Sequence, residues 1–485
     1  MNQDINDTIK QNISQEGPIP ITQDSHPFSA NAFARQPVDL TAYKYKEEEY
    51  FISGKANIYQ GEKVAEVKYS NQPYKTRIMI RKPNPDHFSG RVYLDIYNAS
   101  NGYDIEDVWR RSYQYYLENG HIYIGITSKP INVLSLKNFD YNRYQSLNWS
   151  SPETAPMPTT ISPTMSIPGT EEGLIWDIIS QLGYAIKNNL LEGLSNYPVQ
   201  ELYLTGQSQS GMYLNSYVYY FHQFVENIFD GYLNVVGAGV MRDLNQYENP
   251  NSFFSSKKQL LPKQLKRPFI LLSSQGDINL FESMVNRNQV LSEINNTLEP
   301  IRHYELASSP HTDPASPLIP DNSEIVKTKN PAKLLDGEYN YTVNNIQLAY
   351  YVNSCLEALH KWAQEDYCPS ENLLINRDSK GHIDKDEFGN GRGGLRSAYV
   401  EVPIAHYHAN AIEPGYTDKN QSASVNGSMV YFNTKLLQTL YKDKQDYLKK
   451  FASYVNQQVK ENFLLSNDGK RMIAWSKAVA EELFN

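Results

Sequence analysis

The strongest constraint in this chain is the alternation from Arg91 to Ala307, where short apolar runs rich in β-branched residues are followed by longer segments with helical spacing. Arg91 to Tyr97, His121 to Thr127, Glu201 to Thr205, Tyr232 to Val240, Phe269 to Ser274 and His303 to Ala307 read as buried strands. Ile105 to Glu118, Glu171 to Leu191 and Gln209 to Phe224 read as helices between them. Strands that are apolar throughout, joined by helices, predict an α/β chain with a mostly parallel central sheet covered on both faces. In the helix from Glu171, the residues Leu174, Ile178, Leu182 and Ile186 form one stripe at intervals of four, the face that packs on such a sheet.

The flanking segments differ in character. Residues 1–40 are Pro-, Gln- and Ser-rich and predict an extended leader laid over a surface. Tyr50 to Tyr59, Val64 to Tyr69 and Thr76 to Arg81 predict successive short antiparallel strands. The core is expected over 41–314, with a Pro/Ser/Thr-rich insertion at about 128–169 that is lid-like, because insertions between such strands gather at the functional edge of a sheet. Residues 315–485 carry helical segments at about 343–364, 437–461 and 470–483 without an intervening linker, and predict an appended C-terminal helical layer. No internal repeat is apparent.

Charge and hydropathy exclude several classes of partner. The 45 Lys and Arg against 54 Asp and Glu leave a net charge of −9 spread along the 485 residues, so no basic surface is offered to nucleic acid. The longest apolar runs, such as Phe269 to Leu272, fall far short of the roughly 20 residues of a membrane helix. Met1 to Gly17 is polar and has no apolar signal segment. Two cysteines, Cys355 and Cys368, have no metal-ligand spacing and favour a reducing compartment. A soluble, cytoplasmic chain is the expectation.

The segment Leu202-Tyr203-Leu204-Thr205-Gly206-Gln207-Ser208-Gln209-Ser210-Gly211 is a strand that stops at small residues and passes at once into helical spacing. In a Gly-x-Ser-x-Gly elbow the serine occupies a strained turn, so the positions two before and two after it must be small. Gly206 and Ser210 meet that requirement around Ser208, whereas centring the motif on Ser210 would place bulk where none is tolerated. A serine that only caps the helix is the alternative. Catalysis would require a histidine base and an acid to orient it, since an unactivated hydroxyl is a poor nucleophile.

Partners are expected in the order Ser, acid, His, each after a later strand. Phe269 to Ser274 runs into Gln275-Gly276-Asp277, which makes Asp277 the acid candidate, with Glu282 in reserve. His303 falls within a strand and His360 on a helical stripe. His311 follows the strand His303 to Ala307 through Ser308-Ser309-Pro310 and is the base candidate, while His406 and His408 could line a pocket. For the oxyanion hole, the backbone N–H groups of Gln209 and of the Asn98-Ala99-Ser100 turn are the candidates.

Glu48-Glu49-Tyr50-Phe51, Ser53-Gly54, Tyr97-Asn98, Phe139-Asp140, Arg143-Tyr144, Trp176-Asp177, Gly206 to Gly211, Ala307 to His311 and Gly389 to Arg396 together resemble the bacterial "alpha/beta hydrolase domain" serine esterase family with a Gly-x-Ser-Gln-Ser-Gly elbow. The resemblance spans about residues 40–480. It implies an α/β-hydrolase fold and carboxylesterase chemistry on a small-molecule ester, with Ser208 as nucleophile and His311 as base. Such chemistry needs no metal and no organic cofactor. Members often carry an acidic residue two positions before the Asp, where this chain has Gln275. The same residues would also serve a peptidase, an amidase or a lactone hydrolase, and a non-catalytic binding protein on this scaffold is the reading from another class.

Two weaker patterns remain. Asn376 to Glu387 has the spacing of a calcium loop, but Lys380 at the fifth position would repel the ion and a polar hairpin turn accounts for the segment. The glycine run 389–394 opens no helix after a parallel strand, so it does not read as a phosphate site.

Overall fold

The structure, a computed structural model, describes residues 2–153, 167–248, 262–281, 297–335, 338–339, 341–410 and 425–484. The chain divides into two compact units, the first made of 1–269, 284–300 and 316–333, the second of 270–283, 301–315 and 334–485. The division cuts across the chain order, since 316–333 goes with the N-terminal part.

In the first unit the strands are β1 (Ser14–Glu16), β2 (Tyr45–Gln60), β3 (Glu66–Pro83), β4 (Arg91–Ile96), β5 (Ile122–Ile126), β6 (Glu201–Gln207) and β7 (Gly231–Val235). They lie in the order β1-β2-β3-β5-β4-β6-β7. The ladders joining β5, β4, β6 and β7 are parallel, and those joining β1, β2, β3 and β5 are antiparallel. The expected short strands 64–69 and 76–81 are one continuous strand, β3. Its Pro73 is tolerated because β5 pairs with β3 only over Ile78–Arg81, so the proline sits where β3 is an edge.

Two other expectations shift. The leader is not wholly extended: Asn2–Ile9 is a helix that buries Ile5 and Ile9, an i, i+4 apolar pair, and β1 pairs with β2. The strand expected over 232–240 ends at Val235, and Val236 and Ala238 both have φ of +48°. Asn234 explains the turn, because its Oδ1 accepts from Gly237 N–H at 2.9 Å and its Nδ2 donates to Asn215 Oδ1 at 2.8 Å.

The helices Asp107–Asn119, Ile175–Lys187 and Gln209–Val225 follow the predicted segments within a few residues. The first stops where Gly120 takes φ of +67°. Trp176, Tyr213, Tyr217 and Phe221 are fully buried and form a run of ring contacts between the last two helices. Burial of each such ring stabilises by about 1.5–3 kcal/mol. The segment 128–169, expected as a lid-like insertion, contains helices Pro130–Phe139 and Tyr141–Tyr144, the first begun by a proline at a position that needs no N–H, and its 154–166 part lies outside the described residues.

The second unit holds β8 (Phe269–Ser274, from its second residue) and its neighbour β9 (Ile301–Leu306), with helices Leu348–Gln364, Lys444–Lys460 and Ser466–Leu483. The single helix expected over 437–461 is two, Thr434–Leu440 and Lys444–Lys460, because Asp443 caps the second by accepting from Asp446 N–H. Residues 376–394 form two copies of one hairpin turn eight residues apart, a repeat hidden by its short unit. Asp378 Oδ1 accepts from the N–H groups of Lys380 and His382, and Asp386 Oδ1 from those of Phe388 and Asn390. Cys355 and Cys368 are free thiols. Among the described residues, no helix is long and apolar enough to cross a membrane.

Candidate active site

The elbow is built by local sterics. β6 ends at Gln207, and Ser208 takes φ of +51° and ψ of −116° before the helix Gln209–Val225 begins. A serine in that region carries roughly 1–3 kcal/mol of strain, which the surroundings must hold in place. They do so through Ser208 N–H, which donates to Val235 O at 2.8 Å, and through glycines at the close approaches. A Cβ on Gly206 would lie 2.5 Å from Ser210 O, and one on Gly211 would lie 2.8 Å from Gly237 Cα. The Ser208 hydroxyl makes no capping hydrogen bond to the helix that follows, so the capping alternative does not describe it.

The loop after β4 is latched onto this elbow. Asn98 Nδ2 donates to Gln207 O at 3.1 Å and to Gln207 Oε1 at 2.8 Å, and Ala99 N–H donates to Gln209 Oε1 at 2.8 Å. Asn98 N–H is spent on Ile105 O at 3.2 Å. The three backbone donors expected from this turn are therefore engaged: that of Asn98 within its own turn, that of Ala99 by the side chain that begins the elbow helix, and that of Ser100 by Asn98 Oδ1 at 2.6 Å. The Gln209 side chain thus has a use that sequence spacing did not reveal.

In the second unit, helix Gln275–Phe281 starts directly from β8 and presents Asp277 in its first turn. Asp277 Oδ2 accepts from Ser274 N–H at 2.7 Å, and Asp277 Oδ1 is hydrogen-bonded to His311 Nδ1. Both side chains are buried, and the Phe281 ring stands edge-on to the imidazole at 5.9 Å. The loop carrying His311 is fixed from several directions. Ser308, with φ of +59°, gives its N–H to Gln275 Oε1 at 2.9 Å and its hydroxyl to Asn390 Oδ1 at 3.1 Å, and its carbonyl accepts from Asn344 Nδ2 at 2.8 Å. Gly276 N–H donates to Ser309 O and His311 N–H to Val425 O, each at 3.0 Å. Gln275, Asn344 and Asn390 were not found from sequence as site residues, although Asn390 lies in the glycine run that carried part of the resemblance.

The remaining candidates sit elsewhere. His303 is in β9, its Nε2 2.9 Å from Ser273 Oγ, and His360 lies 3.6 Å from the Glu365 carboxylate. His406 and His408 are on a short strand, Ala405–His408, where His406 Nδ1 donates to Phe388 O at 3.0 Å. Glu282 lies outside the described residues.

Several residues that carried the resemblance converge on one buried carboxylate in the first unit. Glu49 forms an ion pair with Arg77 Nε at 2.7 Å and accepts from Arg143 Nε at 2.6 Å and Tyr144 OH at 2.7 Å. Arg77 also pairs with Asp104 at 2.9 Å, and Asp177 accepts from Asn57 N–H and Tyr59 OH at 2.7 Å each. These are structural ties: a buried arginine persists only where carboxylates surround it.

Comparison with known proteins adds the family. No match is found among curated proteins. Among solved structures the chain is similar to XC6422 from Xanthomonas campestris, an a/b serine hydrolase without lid, at 10% identity, 52% coverage of this chain, 83% of that one and a TM-score of 0.26. It is similar to esterase Est22 at 10% identity, 61% and 80% coverage and a TM-score of 0.30. An S-formylglutathione hydrolase from Agrobacterium tumefaciens matches at 10% identity, 53% and 86% coverage and a TM-score of 0.29. The family profile described as Alpha/beta hydrolase domain matches residues 15–474. Over nearly its whole length, this chain belongs to the alpha/beta hydrolase domain family.

Proposed function

We propose that the protein is a serine carboxylesterase in which Ser208 attacks the ester carbonyl, His311 takes and returns the proton, and Asp277 orients the imidazole. The observation that carries this reading is the backbone of Ser208, held at φ of +51° with its hydroxyl not spent on capping the helix. Strain of that kind is kept where it exposes a reacting atom. With Nδ1 committed to Asp277, Nε2 is the nitrogen that serves as the base, and the carboxylate stabilises the imidazolium formed during attack.

The acyl-enzyme formed on Ser208 is then cleaved by water, with His311 acting first as acid toward the leaving alcohol and next as base toward that water. Gln209 N–H, at the start of the elbow helix, is the first oxyanion donor. Ala99 N–H becomes the second when the substrate oxygen displaces Gln209 Oε1 from it. Neither step draws on a metal or an organic cofactor.

Hydrolysis of a small chromogenic ester by wild type and by Ser208→Ala tests the reading, together with labelling by a fluorophosphonate located by peptide mass spectrometry. Loss of turnover in the variant and label on Ser208 are expected. Full turnover in Ser208→Ala would end the proposal. A panel of esters, amides and lactones of matched acyl group separates the carboxylesterase from the other acyl-transfer activities.

A further inference from the structure

Lys129 directly follows β5 by three residues and is fully buried. Its Nζ lies 2.8 Å from Tyr97 O, 2.7 Å from Ser128 Oγ and 2.9 Å from Ser210 Oγ, and stands 4.5 Å from the centroid of the Tyr213 ring. No carboxylate of the described residues forms an ion pair with it. A lysine buried among neutral partners is unusual, because the ammonium is among the most strongly hydrated side chains.

The hydrogen bonds determine which protonation state the site is built for. Ser128 Oγ lies 2.6 Å and Ser210 Oγ 2.9 Å from Tyr97 O. A carbonyl oxygen can only accept, so both hydroxyl protons point at it. Each hydroxyl must then receive a proton from Nζ rather than give one. Tyr97 O takes the third N–H, sharing its two lone pairs among three donors, so an ammonium places all three of its protons here whereas a neutral amine has only two.

We propose that Lys129 is a positioning residue of the acyl-transfer site, working as an ammonium that ties the Tyr97–Asn98 peptide, the end of β5 and the first turn of the elbow helix into one geometry. The inference rests on the Ser208 reading above. The peptide it grips leads into Asn98 and Ala99, the residues latched to Gln207 and Gln209, so a change at Nζ reaches the Ala99 N–H donor through the one residue between them, Asn98. When the proton leaves, one of the three contacts loses its donor, a serine hydroxyl is released, and the Tyr97 carbonyl is no longer held from three sides.

The groups acting on Lys129 from the packed elements are Glu172 and Asp104, which favour its charge, Asp95, which favours it only once its own raised carboxyl has ionised, and Arg242, which opposes it; Tyr213 offers its ring face. Burial outweighs these and pushes the ammonium down to about 7, within the range where ester hydrolysis can be followed. Sensitivity to pH is therefore a usable readout, one that a merely space-filling lysine would not produce.

The test measures kcat/KM for a small chromogenic ester, and the rate of fluorophosphonate labelling at Ser208, from pH 5 to 10 in wild type, Lys129→Met and Lys129→Arg. Wild type should show a descending limb on the alkaline side in both measurements. Lys129→Met should be about 10–100-fold slower below that limb, mostly in kcat, with the limb gone. Lys129→Arg, charged throughout, should also lack the limb and recover part of the rate. A wild-type profile without a descending limb, the same limb in Lys129→Arg, or a Lys129→Met rate within twofold of wild type would overturn the proposal. If Lys129→Met does not fold, wild type and Lys129→Arg decide. Label on Ser208 with no alkaline limb removes only the role of Lys129, whereas ester turnover that survives Ser208→Ala removes the reading beneath it as well.

Discussion

Asp277 and His311 are joined through Oδ1 and Nδ1, while the other carboxylate oxygen of Asp277 accepts from Ser274 N–H at 2.7 Å. The carboxylate is therefore held from the backbone where β8 passes into its helix, and cannot rotate without giving up that contact. A group so fixed determines which tautomer the imidazole adopts.

Asp277→Asn should preserve the fold and remove the tautomer control. We expect kcat for ester hydrolysis to fall by about 10³–10⁴-fold, with KM changed far less. Steady-state kinetics together with a far-ultraviolet dichroism spectrum check this, and a variant with kcat within tenfold of wild type contradicts the role.

Gln275 is the acceptor for Ser308 N–H in a loop whose Ser308 is held at φ of +59°. Gln275→Ala leaves that buried donor without a partner, at a cost of about 1–3 kcal/mol in stability. Gln275→Met fills a similar space without an acceptor and should lose a similar amount. Urea denaturation of both variants provides the comparison, and a Gln275→Met variant as stable as wild type would show that the acceptor is not what matters.

At Gly206 a Cβ would lie 2.5 Å from Ser210 O and 2.8 Å from Ser210 C, both of them backbone. Gly206→Ala must therefore move the elbow helix away from β6. The expected result is a loss of about 1–3 kcal/mol and a fluorophosphonate labelling rate at least tenfold lower. Thermal denaturation and labelling kinetics read the two effects separately.

Asp95 is buried between Tyr123 OH at 2.7 Å and Thr205 Oγ1 at 2.8 Å, and burial pushes its carboxyl up to about 8. Glu171 is likewise raised to about 8, Asp177 to about 7 and Asp104 to about 6. In the unfolded chain such groups ionise near pH 4, so between about pH 4 and 8 the folded state holds protons that the unfolded state has lost. Stability from these groups is therefore greatest at low pH and declines as pH rises through that window. Asp95→Asn cannot ionise and should make the decline between pH 5 and 8 shallower by up to about 1.4 kcal/mol per pH unit. Urea denaturation at the two pH values measures it, and an unchanged slope would remove Asp95 as a contributor.

The elbow was legible in the sequence because it is short-range: a strand, a turn that admits only small neighbours, and a helix lie within ten residues. The separation of Val64 to Tyr69 from Thr76 to Arg81 does not hold in β3, since whether the residues between them, Pro73 included, break a strand depends on where the neighbouring ladder ends. Lys129 looked like the opening of a Pro/Ser/Thr-rich stretch. Its one signal is a cation three residues after an apolar strand and immediately before the proline that starts a helix.

By itself the sequence determined the types and order of the elements and the place of the strained serine, because helical spacing, apolar strands and turn sterics act over a few residues. Only the tertiary structure decided that Asp277 meets His311 across 34 positions, that Asn390 reaches Ser308 across 82, and that Lys129 finds Ser210 across 81. Those contacts depend on the path of the loops and the order of the strands. A periodic pattern fixes which face of an element is buried, but not which distant side chain will be waiting there.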